Sequence, residues 1–434
     1  MRDTLLHSNE LHSNPSLLDQ VLAPAVHILG NYVRGVYRDG PLDDFRFLRL
    51  GICRVLSQAA SGRDFLQMAR EVLGEEVARA SFFDSLHCRR RSKVLADLNT
   101  ELVIRTRSGL EDLLAQFPEL QGIPVYAVDG HHIDHAVHSP NDHKGEKVSA
   151  NNLYLLCLHS GLLWNLGAVQ GDGRHSHEMP VFLNQIVPWL LSGKMVKGKG
   201  KRAPIFVGDP AFVDKVFWTR MVLEGNRARF ITRTKSNMKP MIYASYGWDP
   251  KKLVNEGVVA DLSVGFDGAT TMRIIRYRDP ESRIDYEFLT SVMDLEPGLI
   301  ALLYLTRWRI EKLFDTTKNK LGETKSWAVG PVAQETRAHL VALTHNLLIL
   351  LRRELEREHE IREEKVEQKR QEQLVQRQTH ARTLGRSVAA IQKFLPVAIQ
   401  LTAQFIRTLR NGILLGMRWA EALALLRKST KAYL

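Results

Sequence analysis

Between Pro124 and Thr234 the chain alternates short apolar runs with segments of helical spacing, and two of the apolar runs end in aspartate. The first is Pro124-Val-Tyr-Ala-Val-Asp129. Asn152–His159 and Gly161–Val169 are two more strand-like runs, joined at Ser160-Gly161, a pair suited to a hairpin turn. Glu178–Leu191 has helical periodicity, and the apolar run Pro204-Ile-Phe-Val-Gly-Asp209 follows it. A second helical segment, Phe212–Glu224, leads to the strand-like Ala228–Thr234. The order β-β-β-α-β-α-β predicts an open α/β sheet. In such sheets, groups at the C-terminal ends of strands face the active site, so Asp129 and Asp209 are the first acids to consider.

The flanks are of a different kind. Residues 16–118 read as helical, with three- and four-residue apolar spacing in Asp64–Leu73 and Phe82–Leu102 and a turn at Gly74 and Glu75-Glu76. The second of these segments carries Arg89-Arg90-Arg91 and Lys93, which fits either a helix-turn-helix or a solvated face of a bundle. Over 236–295 three strand-like runs, Val258–Phe266, Thr271–Tyr277 and Tyr286–Val292, are joined by Asp267-Gly268 and by a polar turn at Arg278–Arg283. After Leu321 the chain is again helical in pattern. Arg352–Arg377 interleaves Glu with Lys and Arg, as a long exposed helix or a charged linker would, and Val388–Leu426 regains apolar periodicity.

Sixty Lys and Arg against 48 Asp and Glu give a formal charge of +12, which favours an anionic partner, nucleic acid first. The three cysteines, Cys53, Cys88 and Cys157, form no CxxC pair and argue against a disulfide framework or a cysteine zinc site. The N-terminus lacks the apolar stretch of a signal peptide, and Leu340–Leu351 is too short to span a bilayer, so a cytoplasmic, nucleoid-associated location is expected.

Tyr304, Arg307, Glu311 and Lys318 are spaced so that, at ~100° per residue, they share one narrow helix face. Leu303, Ile310, Phe314 and Leu321 form a separate apolar stripe. A carboxylate aligned with two cations and a phenol beside a buried seam suits phosphate handling. Asp129, Asp209 and Glu311, each on a different element, can converge on two Mg²⁺ ions, with Mn²⁺ as a substitute, because hard cations take oxygen ligands and leave room for substrate phosphate. Such a site would cleave or join DNA strands. Around Asp129 lies a rival set, His131, His132, Asp134, His135 and His138, which reads as zinc ligands or as polar loop residues near DNA. Asp134 is the reserve candidate for the first acid.

Tyr304-x₂-Arg307-x₃-Glu311-x₆-Lys318 resembles the Tyr-Arg-Glu-Lys signature of bacterial insertion-sequence DDE transposases. Val128-Asp129-Gly130 is similar to that family's first-aspartate strand and Val207-Gly-Asp209-Pro-Ala-Phe212 to its second. The likeness spans roughly residues 120–350. It implies a ribonuclease-H-like α/β core with a β-rich insertion, flanked by helical N- and C-terminal regions. On this basis 1–118 is a helical DNA-binding region, 119–235 the first part of the core, 236–295 the insertion, 296–350 the end of the core with the glutamate helix, and 351–434 a helical C-terminal region.

The resemblance further implies Mg²⁺-dependent strand cleavage and strand transfer at the ends of an insertion sequence, with terminal inverted repeats and target DNA as partners and a homodimer in a paired-end complex. Asp129, Asp209 and Glu311 would be the catalytic metal ligands. Tyr304, Arg307 and Lys318 would contact phosphates, and Trp308 would stack on an unpaired base or pack the helix. Pro210-Ala211 departs from the family pattern, and it allows Asp209 to be a helix N-cap. Glu311 can equally be an intrahelical partner of Arg307, and Asp129 a turn-forming residue before glycine.

Two basic stretches can add phosphate contacts, or can simply be solvated. One is Lys194–Arg202; the other is Arg227, Arg229, Arg233 and Lys235, which share a face if their strand is extended. A catalytically inactive DNA-binding descendant and a structure-selective DNA nuclease are the alternatives.

Overall fold

The computed structural model describes residues 14–32, 42–57, 61–106, 117–138, 147–169, 178–191, 202–214, 228–266, 271–280, 282–308, 310–311, 313–314, 330–361 and 403–431, with isolated positions between them. Among these residues a nine-stranded mixed sheet of order β3-β2-β1-β4-β5-β9-β8-β7-β6 forms the centre. β1 (Val125–His138), β4 (Ile205–Val207) and β5 (Arg229–Arg233) run parallel. β2 (Lys147–Cys157) and β3 (Leu163–Ala168) add to one side as antiparallel hairpins, turning at Gly161 with φ 74°. The α/β class expected from the sequence is therefore met by a large mixed sheet flanked by helices.

The strands of the 236–295 stretch extend this same sheet. β9 (Asp285–Thr290) pairs antiparallel with β5, followed outward by β8 (Met272–Arg278), β7 (Val258–Gly265) and β6 (Met241–Ser245). The Asp267-Gly268 turn lies outside the described residues, but the strands it joins are antiparallel neighbours. A buried ion pair locks the inner part of this extension. Arg273 donates to both carboxylate oxygens of Asp261 (2.7 and 2.5 Å) and to the carbonyls of Val292 and Leu295 (3.2 and 2.7 Å).

Alternation along the central strands divides the core in two, because successive side chains leave a strand on opposite faces. Tyr126, Val128, Phe206 and Phe230 point into one cluster. It also holds the helices α1 (Leu17–Tyr32), α2 (Asp44–Ser57), α5 (Arg89–Thr106), α6 (Glu178–Leu191) and α8 (Pro331–Glu358). Val125, Ala127, Ile205, Val207 and Ile231 point the other way, into a cluster with α7 (Pro297–Thr306) and with Ile310 and Phe314 just beyond it. The apolar stripe of the sequence wheel is thus a real seam for Leu303, Ile310 and Phe314; Leu321 lies outside the described residues.

The N-terminal basic helix differs from the expected single segment. Phe82–Leu102 is broken at Leu86–Cys88, where three successive amides bond to carbonyls three residues back, giving α4 (Arg79–Ser85) and α5. Arg90 pairs with Asp44 at 2.6 Å, and Arg91 lies 3.3 Å from the same carboxylate with its guanidinium over the Phe47 ring. Both cations hold α5 against α2. α3 (Gly62–Leu73) ends at Gly74 in the left-handed conformation, as the turn there requires. The C-terminal stretch contributes α9 (Ala403–Leu414) and α10 (Trp419–Lys431). Most of Arg352–Arg377 beyond α8 is outside the described residues. Among the described residues no helix is long and apolar enough to cross a membrane.

Candidate active site

Asp129 sits where β1 leaves the parallel part of the sheet. Its strand pairs with β4 from Val125↔Ile205 to Ala127↔Val207, then continues as a long hairpin arm with β2, in which Asp129 faces Tyr154 and Gly130 faces Leu153. The expectation that Asp129 ends a strand is corrected in this sense, and the alternative of an Asp-Gly turn is removed. The following histidines belong to the arm and not to a loop. Ladder bonds to β2 extend a polar sequence that has little strand propensity of its own. His131 is buried and stacks on Phe314 with ring centroids 4.6 Å apart. The side chains of Asp134, His135 and His138 lie outside the described residues.

The alternation that sends Val125 and Ala127 toward α7 sends Asp129 the same way. There Arg307 meets it: Nη1 donates to Asp129 Oδ2 at 2.7 Å, and Nη2 donates to Glu311 Oε1 at 2.8 Å. Arg307 is 7 % exposed, so this is a buried cation clamped between two acids. The helix loosens at this point, since the Arg307 amide reaches the carbonyls of both Leu303 and Tyr304. The Tyr304 ring, itself buried against Phe288, lies beneath the guanidinium with 5.5 Å from Cζ to its centroid.

Asp209 lies two residues beyond the end of β4 and caps a 3-10 turn, its carboxylate accepting from the Ala211 amide at 2.8 Å. Its carbonyl accepts from Thr232 of β5 at 2.8 Å, which ties the loop to the sheet. The N-cap and the Glu311–Arg307 pair are therefore both present in the structure.

A fourth carboxylate, which the sequence reading did not single out, enters from the opposite face. Glu178 opens α6, where an acid is ordinary because it favours the helix N-terminus, so nothing in the sequence marks it. Its Oε1 lies 1.9 Å from the point where a Cβ on residue 130 would stand, a place left open by Gly130.

The electrostatics follow from this crowding. Burial pushes the Asp129 carboxyl up to about 6; Arg307 opposes the rise, while Asp209 and Glu311 add to it. Burial also pushes Glu178 up to about 7, aided by Asp209 and Asp129 and opposed by a hydrogen bond from Asn151. Burial works against the Arg307 cation, but Asp129, Tyr304, Glu311 and Asp209 outweigh it and hold its pKa above the ordinary value. The phenol of Tyr304 is raised by burial, with Arg307 and Arg233 pulling the other way.

Among the described residues the group of ligand atoms lying within 4.8 Å of one another is Glu354, Glu358 and His359, at the end of α8. Asp129, Asp209 and Glu311 stand wider than that, with the Arg307 guanidinium between the first and last. All-oxygen donors on separate elements, with more negative charge than Arg307 offsets, fit hard divalent cations.

The remaining candidates are dispersed. Trp308 is 57 % exposed and stands out of the core, so it does not pack the helix. Arg233 and Lys235 are exposed where β5 runs out, Arg233 lying over the Tyr286 ring. Arg229 is not on a DNA-facing surface: it is buried and paired with Asp294 at 2.8 Å. Arg227, Lys318 and residues 192–201 of the basic loop lie outside the described residues, as does most of Phe212–Glu224.

Residues 120–347, just over half of the chain, match the family described as transposase DDE domain. No curated protein matches the chain. Among solved structures it is similar to the cryo-EM structure of a piggyBac transposase synaptic complex with hairpin DNA. That similarity is at 12% identity and a TM-score of 0.37, over 96% of this chain and 80% of that one, too low a score to bear on the fold.

Proposed function

The chain belongs to the transposase DDE-domain family, and from that premise we propose that it is a Mg²⁺-dependent DNA transposase whose ribonuclease-H-like core cuts and joins strands at the ends of an insertion sequence. The family implies an enzyme that cleaves or transfers DNA strands and uses divalent metal. Mg²⁺, the cut-and-paste outcome, the Tyr-Arg-Glu-Lys assignment and a bacterial insertion sequence as its element are the finer parts of the proposal.

The observation that carries it is the meeting of Asp129, Arg307 and Glu311, 178 and 4 residues apart along the chain, through two bonds from one guanidinium. Asp129, Asp209 and Glu311 would hold the metal. When bound, it supplies charge neutralisation at the scissile phosphate and a more acidic attacking hydroxyl. The chain's own groups do the rest. Tyr304 orients Arg307 from below, and Arg307 can exchange a carboxylate for a phosphate oxygen because its fork suits both. Arg233, Lys235 and Lys318 would hold neighbouring phosphates, and Trp308 would receive an unpaired end base.

Water attacks phosphorus at the element end and the 3′ oxygen leaves as a hydroxyl. That hydroxyl then attacks a target phosphodiester and displaces its 3′ oxygen. Terminal repeats and target DNA are the proposed partners, within a homodimeric paired-end complex. The proposed division is a helical DNA-binding region over 1–118, a core over 119–235 and 296–350, an insertion over 236–295 and a helical C-terminal region over 351–434.

Glu311→Gln tests the reading. End cleavage on a DNA substrate carrying the element's termini, with Mg²⁺ present, should fall at least ~1,000-fold, since removing one stabilising group from such a site costs about 10²–10³ and a ligand costs more. Cleavage retained at the wild-type rate overturns it.

A further inference from the structure

We propose that Glu178 and Asn151 complete the metal site from the α6 side of the sheet, holding a hydrated divalent cation together with Asp129 and Asp209. This rests on the reading of Asp129, Asp209 and Glu311 as metal ligands, and it adds a wall to that site which the motif does not contain.

The placement is built into the fold. Phe182 and Ile186 of α6 pack in the core cluster beneath β1, which fixes the start of the helix beside Asp129. Gly130 then leaves a gap that the Glu178 carboxylate fills. A side chain there would overlap Glu178 Oε1, at 1.9 Å, and would come within 3.3 Å of Asn151 Oδ1. Gly130 and Asp129 point to opposite faces of β1, so Glu178 approaches from one face while Arg307 and Glu311 approach from the other.

Asn151 supplies an independent sign of a ligand site. It is 8 % exposed, and its Oδ1 is buried with no hydrogen-bond partner among the described residues. Its amide donates to Glu178, which keeps that carboxylate ready to accept. A buried oxygen without a donor costs about 1–3 kcal/mol, and a metal-bound water directed at it removes that cost.

Charge points the same way. The site's cation, Arg307, is engaged by Asp129 and Glu311, and no ion pair among the described residues reaches Glu178 or Asp209. Among the described residues Glu178 has no ion-pair partner and Asp209 meets Arg307 only beyond ion-pair distance; with the buried Asn151 oxygen these two acids form a candidate hard-cation cradle on the Glu178 side of Asp129.

The test is calorimetric titration of Mn²⁺ into the full chain without DNA, comparing wild type with Glu178→Gln, Gly130→Ala, Asp129→Asn and Asp209→Asn. Glu178→Gln keeps shape and amide bonding, and it should weaken Mn²⁺ binding ~10-fold, in the range found for groups that support metal ligands. Gly130→Ala keeps the charge but displaces it, and should weaken binding to a similar degree. If circular dichroism shows that Gly130→Ala has unfolded, Glu178→Gln alone decides. Unchanged affinity in Glu178→Gln beside loss in the two aspartate variants overturns the role of Glu178 and leaves the aspartates in place. Unchanged affinity in all variants, or no Mn²⁺ binding by wild type, overturns the parent reading and this one with it.

Discussion

Arg307 is the residue on which the proposed site turns, because it occupies the space between two acids that the proposed metal would also need. A buried guanidinium with one nitrogen on Asp129 and another on Glu311 offsets their charge. On the proposed reading cation and metal would compete for the same oxygens, and by linkage whatever weakens one would strengthen the other. Arg307→Ala should bind Mn²⁺ more tightly, by roughly tenfold or more, since each ~1.4 kcal/mol of competition removed is a factor of ten. Strand transfer should nevertheless fall ~100-fold, because the phosphate loses its fork. Titration calorimetry and a strand-transfer assay on the same preparation separate the two effects. Tighter metal binding with full activity would show that Arg307 is only a placeholder, and weaker metal binding would show that it organises the acids instead of competing with them. Arg307→Lys should not restore transfer, since a single ammonium cannot span both partners.

At the scale of elements, α7, which bears Tyr304 and ends just before Arg307, is aimed by the sheet extension before it. Arg273 of β8 grips Asp261 of β7 and the carbonyls of Val292 and Leu295, the segment that leads from β9 into α7. Arg273→Met leaves a fully buried aspartate without its partner, which costs about 3–5 kcal/mol. A lower urea midpoint with unchanged slope should report this, and a double variant Asp261→Leu/Arg273→Met should recover much of the loss. Equal stability of the single variant and wild type would mean that the pair is not coupled to folding. Elements with strong periodicity were legible before the structure: α6 has the predicted bounds, Glu178–Leu191, because its apolar face repeats at helical spacing. β6 was not, since all five residues of Met241–Ser245 are exposed on the sheet edge and only pairing with β7 makes them a strand. The far arm of β1 was hidden for a related reason, its Gly-His-His-Ile-Asp run taking strand form from β2. Glu311 and Arg307 could be placed on one helix face by counting, whereas Glu178 could not be found that way. Its approach to Asp129 depends on a helix packed across a strand, a relation that no local spacing encodes.

For the whole molecule, a chain of formal charge +12 brings four acids together at one place, three of them around a buried arginine, so its stability should respond to pH against the trend of its net charge. Asp129, raised to about 6, and Glu178, raised to about 7, hold protons in the folded chain at pH values where the unfolded chain has already released them. From about pH 4 to about pH 7 the native state thus binds more protons than the unfolded one, and these groups make it less stable as pH rises through that window. Above it the loss is complete, on the order of 6 kcal/mol for the two groups together. Falling positive charge pulls the other way, since it relieves repulsion across the rest of the surface. The double variant Asp129→Asn/Glu178→Gln isolates the site's share. In chelator, melting temperature from pH 5 to pH 8 should decline more steeply, or rise less, for wild type than for the variant. Millimolar Mn²⁺ should close the gap at pH 8 by stabilising wild type alone, by about 2.7 kcal/mol at a hundred times its dissociation constant. Parallel pH profiles for the two proteins would mean that these acids carry no shifted protons. A gap that persists in Mn²⁺ would mean that the cation does not reach them, and the acids would then be a cost the fold bears for some other ligand.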